Sequence, residues 1–258
     1  MSLDPLQALQ AANRAPPPAA KASAGTVLIA GATGALGQEL LHLFAGNGRF
    51  ARVRLLASEP VRDGMRGVET CIADPAVPFA QWPLAPADTA VVAFDPPRLY
   101  HDRERAFWAP QPGDLPALAH WLRACGVRTL AVVQPHDQGR LPEALKRGLA
   151  NLDEHAVVAC GFERVLIVRS ARKPADARLA NPAERLAAWM LSTLRYMVPS
   201  GEQPVRASKV AALVDLALRT APPGVHVAAP ELVWESAQGD MQAVARRWLQ
   251  LEAPVPRS

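Results

Sequence analysis

The chain predicts an α/β fold, a doubly wound parallel sheet with a small C-terminal helical cap, on three observations. Short apolar runs of strand length alternate with longer segments whose apolar residues recur at helical spacing. The runs are apolar on both faces, as strands of a parallel sheet covered by helices must be. The first run leads through a glycine-rich turn straight into a helix. A chain of 258 residues in such a fold buries roughly three quarters of its unfolded surface, enough for a core without metal or disulfide support.

Residues 1–24, rich in Ala and Pro, read as a disordered tail, since they have neither the charged start nor the continuous apolar stretch of a signal peptide. Residues 25–258 read as one domain, with the cap elements mainly in 171–258. Residues 27–30 form the first strand, and Leu36, Leu40, Leu43 and Phe44 the inner face of the helix after it. Residues 53–56 are a second strand and 68–73 a third, closed by Asp74-Pro75. A proline-rich loop precedes the fourth strand, 89–94, which ends at Asp95-Pro96-Pro97, where the chain must leave the sheet.

Tyr100-His101-Asp102 follows that strand and could close over a ligand, although Arg103, Glu104 and Arg105 read as an exposed helix start. In the next helix Asp114 is the expected cap, Pro116 lies in the first turn, Leu115, Leu118, Leu122 and Cys125 share a face, and Gly126 closes it. Residues 127–133 are the fifth strand. Leu141, Leu145, Leu149, Leu152, Ala156 and Ala159 then recur at helical intervals up to Gly161, before a sixth strand at 164–168. Beyond Ser170 the expectation is a helix from Asn181 to about residue 195, another at 208–219, a last strand at 225–228 and a terminal helix at 239–251.

Composition narrows the function classes. The net charge of +4 comes from arginines spread along the chain, and aromatic residues make up only 5%, so nucleic acid is not an expected partner. Cys71, Cys125 and Cys160 are odd in number and lack ligand spacing, which suits buried thiols in a reducing compartment and gives no metal site. Outside the tail no uncharged apolar run is long enough to span a bilayer. The expectation is a cytoplasmic protein with no membrane partner.

The turn Gly-Ala-Thr-Gly-Ala-Leu-Gly at 31–37 carries the clearest chemistry. A first glycine allows a sharp turn, a second lets backbone amides approach phosphate oxygens, and a third lets helix and strand pack closely. The helix then points its positive end at the anion. Gly31, Ala32, Thr33, Gly34, Ala35, Leu36 and Gly37 are therefore the candidate pyrophosphate site of a dinucleotide. The ending Gly-Lys-Ser/Thr of a nucleoside-triphosphate loop is missing, as is a Gly-x-Ser-x-Gly hydrolase elbow.

With this turn, Asp74 after the third strand, Asp88-Thr-Ala-Val-Val at 88–92 and Gly161-Phe162 before the sixth strand, residues 26–238 resemble the atypical short-chain dehydrogenase/reductases. The branch they resemble most holds the NAD(P)-binding epimerase-like and Tat-interacting-protein-like members. The resemblance implies a Rossmann-type sheet, with the glycine turn on the pyrophosphate and Asp74 near the adenine; Asp74 also reads as a turn former before Pro75. After the second strand stand Ala57-Ser58-Glu59, where members that use the phosphorylated cofactor commonly have arginine. Ser58 or Glu59 could bond ribose hydroxyls and Glu59 would repel a phosphate, so the cofactor is NAD or NADP with a tilt toward NAD.

The same resemblance implies a tyrosine with a lysine four residues later, the phenol exchanging a proton with substrate while hydride moves. Tyr100 is followed by Glu104 and Tyr196 by Ser200, so no Tyr-x-x-x-Lys exists. Lys146 and Ala150 stand where the pair belongs, and the fifth strand ends in Gln134-Pro135-His136 without the usual serine. His136 at the strand's carboxyl end and Lys146 on the following helix are the substitute acid/base candidates, each also readable as a solvated side chain.

Three functions follow. The first is an NAD(P)-binding protein acting in nucleotide-dependent binding or regulation, with an unknown small molecule or protein as further partner. The second is an active oxidoreductase or sugar-nucleotide epimerase using an unconventional acid/base. The third is a scaffold with an association patch drawn from Trp108, Trp121, Trp189, Trp234 and Trp248.

Overall fold

The computed structural model describes residues 25–61, 67–98, 101–135, 142–150, 152–169, 171 and 205–251. The N-terminal tail, the expected helix at 181–195, Tyr100, His136 and Trp189 lie outside them, as does the side chain of Lys146.

Among the described residues seven parallel strands make one sheet: β1 (Thr26–Ala30), β2 (Arg52–Ala57), β3 (Val68–Ile72), β4 (Thr89–Ala93), β5 (Thr129–Val133), β6 (Arg164–Val168) and β7 (Gly224–Ala228). Their order is β3-β2-β1-β4-β5-β6-β7, so the winding reverses between β1 and β4. In a doubly wound sheet of this Rossmann type, the crevice outside the carboxyl ends of those two strands is where ligands sit.

Helices cover both faces. Val27 and Ile29 of β1 point to the side on which α1 (Gly34–Gly46) and α6 (Ala207–Thr220) lie, where they meet Leu36, Leu40, Phe44, Val210 and Val214. Leu28 and Ala30 point to the other side, toward α3 (Leu115–Ala124) and α5 (Glu154–Ala159), and share a cluster with Leu118, Leu122 and Val157. That alternation explains why the strand reads as apolar throughout.

The α3 face also holds an aromatic group. Trp82 stands edge to face with Trp108 and Trp121, with ring centroids 5.4 and 5.5 Å apart, and all three are buried. Trp108 and Trp121 are therefore core residues and not part of an association patch. Trp234 and Trp248 are half-buried against the α6 face of the core.

Several boundaries differ from the periodicity. The single helix expected across 141–159 is two, α4 (Glu143–Ala150) and α5, because the Asp153 carboxylate accepts the Ala156 amide at 2.9 Å and starts a new helix. Asp114 does not cap α3: its carboxylate accepts the Gln111 amide at 3.1 Å, closing a 3-10 turn that runs into the helix. The expected terminal helix at 239–251 is the shorter α8 (Met241–Trp248), capped by Asp240, and before it stands a helix not expected from the sequence, α7 (Pro230–Gln238), with Pro230 in its first turn. These two pack on each other and on α6. Of the cysteines only Cys125 is buried, while Cys71 and Cys160 are half-buried; burial pushes all three thiols above their ordinary range. Among the described residues no helix is long and apolar enough to cross a membrane.

Candidate functional site

The glycine turn leaves β1 at the reversal point of the sheet, and each glycine has its own steric reason. Gly31 (φ +85°) and Gly34 (φ +65°) are left-handed. A Cβ on Gly31 would stand 2.0 Å from the Ala93 carbonyl oxygen, and one on Gly37 would stand 2.3 Å from the Gly31 carbonyl oxygen. The first glycine thus lets β1 turn beside β4, and the third lets α1 lie against the turn.

Thr33 precedes α1 but does not cap it, since its hydroxyl donates to the Asp95 carbonyl oxygen instead. The amides of the first turn are taken by two acids from far along the chain. The Leu36 amide donates to Asp95 Oδ2 at 2.8 Å, and the adjacent Ala35 amide favours the charge on the same carboxylate. The Gly34 amide donates to Glu104 Oε2 at 2.8 Å. A Cβ on Gly34 would strike the Asp95 carboxylate, with all three carboxylate atoms within 2.3 to 2.7 Å.

Glu104 sits on the single turn α2 (Asp102–Arg105), and its side chain is 3% exposed. The readings of 103–105 as an exposed helix start therefore hold for Arg103 and Arg105 but not for Glu104. A buried carboxylate needs compensation. It accepts the Gly34 amide, the Arg98 amide at 3.0 Å and Arg98 Nε at 2.7 Å, and Arg98 also pairs through a terminal guanidinium nitrogen. For Asp95, burial raises the pKa above the ordinary carboxylate value, and the neighbouring Glu104 charge adds to this; the Leu36 and Ala35 amides and Arg98 pull the other way.

The chain beyond α2 lies across the carboxyl ends of β1 and β2. Phe107 makes an antiparallel bridge with Ala57, the Ser58 amide donates to the Ala106 carbonyl at 2.8 Å, and the Trp108 amide donates to the Leu56 carbonyl at 3.1 Å. The Gly31 amide donates to the Trp108 carbonyl at 3.2 Å. Phe107 and Trp108 are buried, so this cover is anchored by apolar packing as well as by backbone bonds.

The candidate residues are thus brought together in part. Gly31 through Gly37 form the turn, and Ser58 adjoins it through the cover. Asp74 lies past the end of β3, exposed, its carboxylate accepting the Ala76 amide at 2.8 Å and its carbonyl accepting Trp82 Nε1 at 3.0 Å. Gln134 follows β5, buried, with its amide on the Val168 carbonyl at 2.9 Å, and His136 beyond it is outside the described residues. Lys146 lies on α4. Sequence reasoning missed Asp95 and Glu104 as site residues. The signal for Asp95 was present, since an acid just past β4 must lie beside a turn just past β1; nothing local marks Glu104.

The Gly34 and Leu36 amides at the start of α1 are donors of the kind that an anion accepts from. The carboxylates on them do not leave those donors to a pyrophosphate, so a dinucleotide and this arrangement of Asp95 and Glu104 exclude each other.

No protein-family profile matches the chain, and no curated protein does. Among solved structures it is similar to the Helicobacter pylori ADP-L-glycero-D-manno-heptose-6-epimerase, with 15% identity, TM-score 0.47, and 81% of this chain and 78% of that one covered. It is similar to the Citrobacter sp. triphenylmethane reductase complexed with NADP(H), with 16% identity, TM-score 0.45 and coverage of 78% and 68%. A nucleoside-diphosphate-sugar epimerase from Staphylococcus aureus gives 16% identity, TM-score 0.45 and coverage of 79% and 70%.

Proposed function

We propose that the chain is an NAD(P)-binding protein of the atypical short-chain dehydrogenase/reductase group that works by nucleotide-dependent binding or regulation, without Tyr/Lys proton transfer. The observation that supports it is the glycine turn at the reversal point of the sheet, with two left-handed glycines and a third where a Cβ has no room. The absence of any Tyr-x-x-x-Lys in the chain argues against the standard reductase chemistry.

In this reading the Gly34, Ala35 and Leu36 amides hold the pyrophosphate, with Ser58 toward the ribose and Asp74 toward the adenine. A bound nicotinamide would supply hydride chemistry only if an acid/base faced it.

Titration with NADH and NADPH, read by energy transfer from the six tryptophans, tests the proposal. Saturable binding of either without turnover of carbonyl or alcohol substrates is the expected result. Absence of binding at millimolar nucleotide, in the wild type and in variants of Asp95 and Glu104 alike, would overturn it.

A further inference from the structure

The first turn of α1 offers three amides to an anion; those of Gly34 and Leu36 are hydrogen-bonded to carboxylates of the same chain, and that of Ala35 lies beside the second of these. Two carboxylates there carry the charge that a pyrophosphate would bring to the same place. We propose that Asp95 and Glu104 are an internal competitor for the dinucleotide, occupying the pyrophosphate seat when nucleotide is absent, and that nucleotide enters by displacing them. This rests on the dinucleotide reading above and adds to it a closed state of the protein.

The geometry divides the cover into a fixed part and a movable part. Phe107 and Trp108 are 3% and 5% exposed, and Phe107 and Trp108 both pair with the carboxyl end of β2, so they anchor it. The single turn α2 is different. His101, Arg103 and Arg105 are exposed, and Glu104 is the buried one among its described side chains. One turn of helix has little stability of its own. Release of Glu104 from Gly34 therefore frees α2 to move about the anchor at Phe107, while Arg98, 43% exposed, follows its partner into solvent. Asp95 lies two residues past β4 with its carbonyl held by the Thr33 hydroxyl, so in this proposal its side chain turns away while its backbone stays.

A closed state that must open before binding lowers the apparent affinity by the fraction that is open. The test compares NADH affinity of the wild type, Asp95→Asn, Glu104→Gln and the double variant. The expected result is tightening by about tenfold or more in the double variant, with each single variant between. Thermal melts identify any variant that fails to fold. Wild-type protein gives a second reading that needs no variant: on saturation with NADH, hydrogen exchange at 101–106 should accelerate while the turn at 34–36 stays protected.

Equal affinity in the wild type and the folded variants, or bound NADH with 101–106 still protected, would overturn the competitor and leave the dinucleotide reading standing. Failure of all four proteins to bind millimolar NADH or NADPH would remove the dinucleotide reading itself, and the competitor with it.

Discussion

Helices α1 and α8 begin in opposite ways. At α8 the residue just before the helix supplies the cap: the Asp240 carboxylate accepts the Gln242 and Ala243 amides at 2.9 and 3.3 Å, in solvent. At α1 the residue just before the helix turns its hydroxyl away, and the amides are met by Asp95 and Glu104, 59 and 70 residues from their partners. A local cap stabilises a helix and nothing else. A cap brought from a distance into a buried seat ties the helix start to the position of another segment, and whatever moves that segment opens the seat.

The largest expected effect is at Glu104. In Glu104→Gln the amide of Gly34 keeps an acceptor, but the guanidinium of Arg98 loses its charge partner in a site that is nearly dry on one side. With Arg98 partly solvated, the cost should be about 2 kcal/mol in urea denaturation. A change below a few tenths would place Glu104 among surface residues and undo the contrast.

Asp240→Ala should cost less, about 1 kcal/mol, by removing an exposed cap. It should leave NADH affinity unchanged, since α8 packs on α6 and α7, away from the turn. An equal effect of the two substitutions on affinity would show that global stability, and not the seat, controls binding.

The smallest effect is that of pH on Asp95. Its folded pKa is raised, first by burial and then by the Glu104 charge, so the folded protein holds this proton to higher pH than the unfolded chain does. Stability from this group is fully present below the ordinary carboxylate value of about 3.9 and is lost as pH rises through the folded value. Melting temperature against pH should therefore fall more steeply in that window for the wild type than for Asp95→Asn. A constant gap between the two curves would remove the burial argument.

How far the sequence reached follows from the range of each signal. The central strands were legible because a parallel strand covered on both sides is apolar along its length, and the glycine turn because its three glycines fall within seven residues. The break between α4 and α5 lay in plain view at Asp153, but the leucine periodicity on either side outweighed it. Pro230 marked α7 in the same way, after a strand whose end was read correctly. Glu104 was the opposite case. Its neighbours Arg103 and Arg105 are exposed, and only the folded path of the chain after β4 carries the residue between them to the turn after β1. A contact across 70 residues leaves no pattern in either segment.

The most direct test of the account is amide hydrogen exchange, resolved by NMR, at Gly34, Ala35 and Leu36 in protein stripped of nucleotide. Slow exchange is expected at all three in the wild type, with protection lost at Gly34 in Glu104→Ala and at Ala35 and Leu36 in Asp95→Ala, while Gln242 and Ala243 are unaffected. Rapid exchange at these three amides in the nucleotide-free wild type would contradict it, because the seat would then stand open to solvent.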